Sequence, residues 1–498
     1  MQQGMCRSCG KSCGKTCGET CGEQSGHDRG VRGLAGWFML LMVAAVSVAP
    51  GEAGTWPDPE PLLVTLDECV EWALERNSQI VQGRYRRQTA EIAVADARSA
   101  FLPSISANYG FSRQLSGPRE GSYVDEATGL LVTTLGDRRT SGSQSVGSSL
   151  SMSLYDRRNW ANLAASRHGL NAAEMEFETT RQQVTFQARQ AYFNLLQALR
   201  LQQVQEEQIL ALEEDLRRAE TLYELKSVPL SDVLTSRASL ESARAAQIDR
   251  DNQVATARAN VAFIIGLEPR AHVVPADTAF AVQPLPVTLD QAVSRALGTH
   301  PELRAQRETI LQAKEQLAGT RAGVRHPTVS LSTGYSWSLG SQEEFGGIED
   351  LLLKNYGVSF RIGLSFPIFN RMNTEHAVQT QTLNYRRSME AFEQAKRQIE
   401  LEVRQTVRGI EQYRRSVEAH QAAVRASEES ARLAEERYQL GTGTFLERLQ
   451  ARSSLFSSRN SLVQAVYNYH IQLARLEQAT GGALSELATP LAAPEVER

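Results

Sequence analysis

The tetrapeptide Val64-Thr-Leu-Asp67 occurs again, 223 residues later, as Val287-Thr-Leu-Asp290. The correspondence continues in the same order along the chain, with Ala73-Leu74 matching Ala296-Leu297, Pro103 matching Pro327 and Gly266 matching Gly481. A repeat of this length indicates that one structural unit is used twice. We therefore predict a first unit at residues 64–282 and a second at 287–482, followed by a disordered tail at 483–498.

Each unit is predicted to begin with a helix and to continue into two strands. Residues 65–101 form the first helix, with Thr65 as its N-cap, Glu68 completing a capping box and Pro103 beyond its end. Apolar and small polar residues then alternate with period two, which predicts strands. The four strands cover residues of about 102–113, 146–155, 327–339 and 356–369, with loops predicted at 113–144 and 340–355.

The predicted strands suit a membrane. Each has one apolar face and one face of small polar residues over about ten residues, as in transmembrane barrel strands. Aromatic residues in them fit the girdles at membrane interfaces: Tyr109, Phe111, Tyr335, Trp337, Phe366 and Phe369. The alternative is a pair of soluble hairpins packed on a core, because serine-rich faces also occur on solvated sheets.

Two very long helices are predicted between and after the strand pairs. Residues 157–225 and 372–440 contain no proline and one glycine each, which permits helices of about 100 Å. In the second, a seam at seven-residue spacing predicts coiled-coil packing: Val403, Ile410, Val417, Val424, Ala431 and Tyr438. Each long helix ends in a short turn, from which a returning helix at 230–265 or 445–479 begins.

Residues 1–53 are predicted to be a leader and signal peptide. The apolar run from Leu34 to Ala49 is short for a membrane span, follows Arg29 and Arg32, and precedes small residues that suit cleavage near Ala53. A retained N-terminal anchor is the alternative. Five of the six cysteines lie before this run. An over-extended start codon, placed too far upstream, or an unusual leader explains these cysteines better than a metal site does.

The composition excludes several classes of function. The net charge of −4 gives no basic surface for nucleic acid. The sequence contains no glycine-rich phosphate loop, HExxH or GxSxG motif, so we predict no enzyme activity, no cofactor and no metal site. Only Cys69 follows the leader, which excludes an intramolecular disulfide framework. Any transport would need energy from a partner protein.

Four membrane strands cannot close a barrel, because the smallest barrels have about eight and open edges are not tolerated in lipid. Each chain must therefore contribute part of a shared barrel, and three chains of four strands would supply about 12. The predicted fold is mainly α with a transmembrane β-barrel portion: a duplicated helix–β-hairpin–long-helix unit in a homotrimer. The helices would form a second cylinder outside the membrane.

Several motifs resemble the TolC family of outer-membrane efflux proteins. The segment Tyr438-Gln-Leu-Gly-Thr-Gly-Thr-Phe-Leu-Glu447 is one of them, and His300-Pro-Glu-Leu303 resembles the family's Asn-Pro-Glu-Leu pattern. Leu154-Tyr-Asp-Arg157 and Pro367-Ile-Phe-Asn370 resemble its turn into the long helix. The resemblance covers residues of about 64–482. It implies an outer-membrane location and a trimeric, 12-stranded barrel with a periplasmic α-barrel. It also implies docking to a periplasmic adaptor (membrane fusion) protein and an inner-membrane pump of the RND or ABC type, in efflux or type I secretion.

The resemblance also implies functional residues at the helical tips. Polar links that close the tunnel would involve Ser231, Asp232 and Tyr438, and rings at the constriction would fall at Glu447 and Gln450. The adaptor-docking tips would be Ser227, Val228, Pro229 and Leu230 in the first turn, and Gly441, Thr442, Gly443, Thr444 and Phe445 in the second. The chain departs from the family's pattern at two positions. Gly443 stands where the best-known members of the family have an arginine that locks the gate, and Gln450 stands where they have a second acidic residue.

Most of these residues also have a purely structural interpretation. Thr444 and Glu447 match a capping box, Asp232 suits the first turn of a helix, and Tyr438 fits seam packing. Glycine and proline in the tips suit tight helical hairpins. A coiled-coil envelope stalk is the alternative function; a soluble periplasmic adaptor would need an inserted lipoyl-like or barrel domain, which the sequence does not contain.

Overall fold

The computed structural model of the protein describes residues 61–277, 280–339 and 356–482. The predicted leader (1–53), acidic loop (340–355) and tail (483–498) lie outside the described residues. The first unit contains, in chain order, β1 (Leu62–Val64), α1 (Leu66–Arg76), α2 (Ser78–Ser99), β2 (Ser104–Ser116), β3 (Glu120–Val124), β4 (Leu131–Leu135), β5 (Arg139–Tyr155), α3 (Arg157–Glu224), α4 (Leu230–Ile264) and β6 (Val273–Pro275).

Within its described residues, the second unit repeats this order of helices and has two strands. It contains α5 (Leu289–Thr299), α6 (Pro301–Arg325), β7 (Thr328–Leu339), β8 (Tyr356–Ser365), α7 (Asn373–Gln439) and α8 (Phe445–Thr480). The long helices α3 and α7 have 68 and 67 residues, as the lack of proline predicts. No helix within the described ranges is both long and apolar enough to span a membrane.

The predicted single helix at 65–101 is wrong, because the chain breaks at Asn77. Thr65 and Glu68 form the predicted capping box of α1, but Asn77 has extended backbone angles and starts α2 anew. Its side-chain oxygen accepts a hydrogen bond from the Gln79 amide (2.8 Å), and its Nδ2 donates to the Ile264 carbonyl (2.9 Å). His300 occupies the corresponding break between α5 and α6 and accepts a hydrogen bond from the Glu302 amide (3.3 Å). At each break, the first residues of the new helix contact the C-terminal end of a neighbouring helix.

The main strands form one antiparallel sheet in the order β2-β5-β7-β8. The pairs Ile105–Leu150, Leu331–Ile362 and Val329–Leu364 place the apolar residues of all four strands on one face. On the other face serines pair across the strands, with hydroxyl–hydroxyl distances of 2.7 Å for Ser104–Ser151 and 2.9 Å for Ser106–Ser149.

Most of the apolar face of this sheet is exposed, with Trp337 as a buried exception. Ile105, Phe360 and Leu364 are 75%, 70% and 72% exposed, so the rest of the described chain does not cover them with a core. This exposure contradicts the alternative of soluble hairpins packed on a core.

The predicted loop at 113–144 is also largely wrong. β2 runs on to Ser116, and the pairs Ser116–Arg139 and Glu120–Leu135 keep the same register through the break into β3 and β4. The Gly136 amide donates to the Arg119 carbonyl between them (2.8 Å). Strands β2 and β3 on one side and β4 and β5 on the other therefore form one long two-stranded ribbon. Its β2–β3 side spans residues 104–124, about 70 Å when extended, which is roughly twice the thickness of the hydrocarbon core of a membrane.

Each unit has its own hydrophobic core around the middle of its long helix. In the first, β1 pairs in parallel with β6, a pairing that the sequence did not predict, and the buried Tyr192 hydroxyl donates to the Val64 carbonyl (3.2 Å). In the second, the predicted seam is confirmed at Val403, Ile410 and Val417, which are buried, whereas Val424, Ala431 and Tyr438 toward the tip are half-buried.

The cap at His300 predicts a pH-dependent stability. Burial lowers the pKa of His300 below its ordinary 6.5, although the charge of Glu402 opposes this. A depressed pKa in the folded state means that the stabilisation is present above pH 6.5 and is lost as the pH falls below it. Protonation would also remove the acceptor for the Glu302 amide. We expect His300→Asn, which copies the Asn77 cap, to reduce the fall in melting temperature between pH 7.5 and pH 5.

The His300 prediction has a matched control. His300→Ala removes the cap and should cost about 1 kcal/mol at pH 7.5. His470, whose pKa burial also lowers, titrates in both proteins and leaves a residual dependence. Identical pH profiles for the wild type and His300→Asn would contradict the prediction.

Candidate functional site

The first helical tip joins α3 to α4. Lys226 adopts a positive φ of 57°, and the Ser227 amide donates to the Leu222 carbonyl (2.8 Å), which closes α3. Pro229 occupies the N-cap of α4 without a capping side chain. Val228 is half-buried, whereas Ser227, Pro229 and Leu230 are exposed, with Leu230 at 49%.

The second tip joins α7 to α8 through a tighter turn. Gly441 has a φ of 73°, and the amides of Thr442 and Gly443 both donate to the Arg437 carbonyl, at 2.9 and 3.0 Å. A Cβ at Gly443 would lie 3.1 Å from the Cβ of Arg437. The turn in this conformation therefore favours glycine where the family's pattern has an arginine.

The capping box predicted at Thr444 is present. The Thr444 hydroxyl accepts from the Glu447 amide (3.2 Å), and the Glu447 carboxylate accepts from the Thr444 amide (3.2 Å). Phe445 was predicted to be part of an exposed docking tip, but its side chain is only 8% exposed. Its ring packs edge-on to the ring of Tyr438.

The predicted gate residues are not all brought together within one chain. The Ser231 hydroxyl donates to Asp232 (3.3 Å), and both lie in the first turn of α4. Among the described residues, no hydrogen bond joins Tyr438 to either of them. Glu447 and Gln450 are both exposed near the start of α8. Gln450 lines a groove of about 810 Å³ between α3, α4 and α8.

A buried charged cluster lies beside these residues, and the sequence did not reveal it. Arg448 of α8 is 1% exposed, and its guanidinium lies 3.1 Å from the carboxylate of Asp215 on α3 and 3.5 Å from that of Glu435 on α7. Arg452, one turn further along α8, contacts the same carboxylates at 2.8 and 3.2 Å. Arg218 of α3 also pairs with Glu435. Three helices from both units therefore meet in one network.

Aromatic rings and hydrogen bonds support this network. The Arg448 guanidinium lies 4.4 Å from the centre of the Tyr438 ring and 5.3 Å from that of Phe445, distances that suit cation–π contact. Burial would raise the pKa of Glu435, but hydrogen bonds from Gln439 and Arg218 and the charges of Arg448 and Arg452 together hold it below its ordinary value. Glu435 is therefore ionised at neutral pH.

One signal in the sequence points to this cluster. Arg448 and Arg452 follow Phe445 at spacings of three and seven, the positions that face a partner helix. A charged residue at such a position needs a buried partner. The partner on α3, however, is 233 residues away from Arg448 in the chain, so spacing alone does not identify it.

Comparison with known proteins identifies the class to which this fold and these tips belong. The family model described as "Outer membrane efflux protein" matches residues 70–267 and 292–482. The chain belongs to this family. It is accordingly an outer-membrane protein that combines strands of a membrane β-barrel with a long helical extension in the periplasm.

Individual relatives and solved structures support the same assignment. The chain is 22% identical over 419 residues to the outer membrane protein TolC of Vibrio cholerae, covering 84% of this chain and 90% of the relative. It is 24% identical over 405 residues to the cation efflux system protein CusC of Escherichia coli K12, covering 79% and 82%. The Campylobacter jejuni CmeC outer membrane channel shares the fold with a TM-score of 0.70 at 17% identity, covering 84% of this chain and 85% of that one.

Proposed function

We propose that three copies of this chain form a passive exit duct across the outer membrane, gated at the periplasmic helical tips. One observation carries this proposal. The four-stranded sheet has a largely exposed apolar face and two edge strands, β2 and β8, whose outer backbone groups pair with no other strand among the described residues. Unpaired edges are not tolerated in lipid, so β2 of one copy would pair with β8 of the next until the barrel closes.

The oligomeric state is the direct test of this arrangement. Native mass spectrometry of protein purified in detergent from the outer-membrane fraction is expected to give three chains per particle. Three times four strands gives a barrel of 12, within the known range of membrane barrels. A monomer that stays in solution without detergent would contradict the proposal and favour the envelope stalk.

The partners follow from the same proposal. A passive duct contains no energy source, so an inner-membrane pump of the RND or ABC type would drive transport, through a periplasmic adaptor. Leu230 and Leu446, which are 49% and 56% exposed at the two tips, supply apolar contacts for adaptor helices. Glu447 would form a ring of three carboxylates at the constriction, favouring cations.

Glu447 allows the pore charge to be separated from the helix cap. Glu447→Gln keeps the capping box, because glutamine also accepts the Thr444 amide, but removes three charges from the proposed ring. We expect an unchanged melting temperature and a reversal potential in a KCl gradient that moves toward zero.

The control for this variant is Glu68→Gln. Glu68 forms the same capping box with Thr65, at 2.8 Å from the Thr65 amide, at the start of α1 rather than at a helical tip. Its reversal potential should equal that of the wild type. If Glu447→Gln also leaves the potential unchanged, Glu447 is only a helix cap.

A further inference from the structure

We propose that Arg361 forms a ring of three positive charges inside the membrane part of the duct, and that this ring favours anionic cargo. The inference rests on the proposed function and names the class of solute that the barrel would admit most readily. It starts from β8, where Arg361 lies between Phe360 and Ile362 of the apolar face. Because side chains alternate along a strand, Arg361 is on the opposite face, which would line the lumen of a barrel.

The face that carries Arg361 is otherwise small and uncharged. Arg361 pairs with Ser332 of β7, Ser332 pairs with Ser151 of β5, and Ser151 pairs with Ser104 of β2. The other residues on this face whose side chains are described are serine, threonine, asparagine, glutamine or glycine. Arg361 therefore supplies the one charge among the described side chains of this face.

Arg361 has no acidic partner among the described residues. Its neighbours on the same face of β8 are Ser359 and Gly363, and no described carboxylate lies within ion-pair distance of its guanidinium. In the proposed trimer, β8 would pair with β2 of the next copy, which brings only serine, asparagine, glycine and glutamine to this face. The guanidinium keeps its proton in proteins, so three uncompensated charges would face the lumen.

The width of the barrel decides whether such a ring can act on a solute. A barrel of about 12 strands, spaced about 4.8 Å apart and tilted by about 40°, has a radius of about 12 Å. The Debye length is about 30 Å in 0.01 M salt but about 3 Å in 1 M salt. By Coulomb's law in water, three charges at the wall then raise the concentration of a monovalent anion at the axis about threefold in 0.01 M salt. They lower that of a monovalent cation by the same factor.

This ring would act far from the one proposed at Glu447. Arg361 lies in a membrane strand, whereas Glu447 lies at a helical tip, beyond the far end of α7. The 67 residues of α7 span about 100 Å, which is several Debye lengths even in dilute salt. The two rings would therefore act independently, and the narrow tip would dominate wild-type currents. The effect of Arg361 is measured best when Glu447 is neutral.

The decisive variant is Arg361→Gln in a Glu447→Gln background, which keeps a long polar side chain and removes three positive charges from the proposed ring. We expect the permeability ratio of chloride to potassium, obtained from reversal potentials at about 0.01 M KCl, to fall about 3- to 10-fold. The fall should be larger for sulfate at the same ionic strength, because the interaction energy scales with the charge of the ion. It should vanish in about 1 M KCl.

Arg113→Gln in the same background is the matched control. Arg113 lies on β2 between Phe111 and Leu115 of the apolar face, so this variant removes the same number of charges from the outside of the barrel. Its permeability ratio should equal that of the background. An equal fall in both arginine variants would mean that the overall charge of the protein sets the ratio, and would overturn the inference.

Arg361→Lys separates the charge from the shape of the side chain. Substitutions that face the lumen tune selectivity, so both Arg361 variants should reach the outer membrane in wild-type amounts. Arg361→Lys should keep the ratio of the background, and a fall as large as that of Arg361→Gln would contradict a role for charge. If the channels conduct but Arg361→Gln leaves the ratio unchanged in dilute salt, the inference is wrong and the duct stands. If the wild-type protein gives no openings at all, the proposed function itself is contradicted.

Discussion

Phe360→Arg is expected to prevent stable insertion of the protein into the outer membrane. Phe360 lies in the middle of β8, is 70% exposed and is on the apolar face of the sheet. An arginine facing lipid at the middle of a membrane barrel costs about 2–4 kcal/mol, and a trimer would contain three of them. The measurement is the amount of trimer in the outer-membrane fraction, compared with the wild type at equal expression.

Ser359→Arg is the control for this variant, one residue away on the opposite face. That face already carries Arg361, alternating with small residues such as Gly357 and Gly363. An arginine facing an aqueous lumen keeps its hydration, so Ser359→Arg should insert normally and change only conductance. Equal loss of insertion in both variants would mean that Phe360 does not face lipid and would contradict the barrel.

Gly266→Ala is expected to destabilise the first unit by about 2–4 kcal/mol. Gly266 follows α4 with a φ of 75°, and a Cβ there would lie 2.7 Å from the Cβ of Arg76 at the end of α1. The Leu267 amide donates to the Ala262 carbonyl (2.8 Å), as in a glycine-based helix end. The measurement is the shift in the denaturation midpoint of the detergent-solubilised protein.

The control is Gly298→Ala, for which the opposite sign is expected. Gly298 lies inside α5, is exposed, and has no atom within 4 Å of an added Cβ. Alanine in a helix is more stable than glycine by about 0.5–1 kcal/mol. If Gly266→Ala is neutral or stabilising, the junction between α4 and α1 is not as tight as the structure indicates.

Local patterns explain why much of the fold could be predicted from the sequence. Period-two alternation identified all four strands of the main sheet, and the absence of proline identified α3 and α7. The break at Asn77 was missed because neither proline nor glycine marks it. The ribbon of β3 and β4 was missed because a segment rich in Gly, Ser and Asp is typical of loops, whereas here it continues the register of β2 and β5.

The candidate site was less predictable for a related reason. The capping box at Thr444 depends on neighbours three residues apart, and the structure contains it. The cluster around Arg448 depends on Asp215 and Glu435, which come from two other helices. Local spacing places these arginines on the same face of α8 as Phe445, but it contains no information about such distant partners.

Single-channel recording of signal-cleaved wild-type protein, purified in detergent and added to planar bilayers, tests whether this chain forms a conducting duct. We expect stepwise, cation-selective openings whose size is that of one 12-stranded pore. A well-folded sample that never inserts or conducts would contradict the duct, and with it the role given to the exposed apolar face of the sheet.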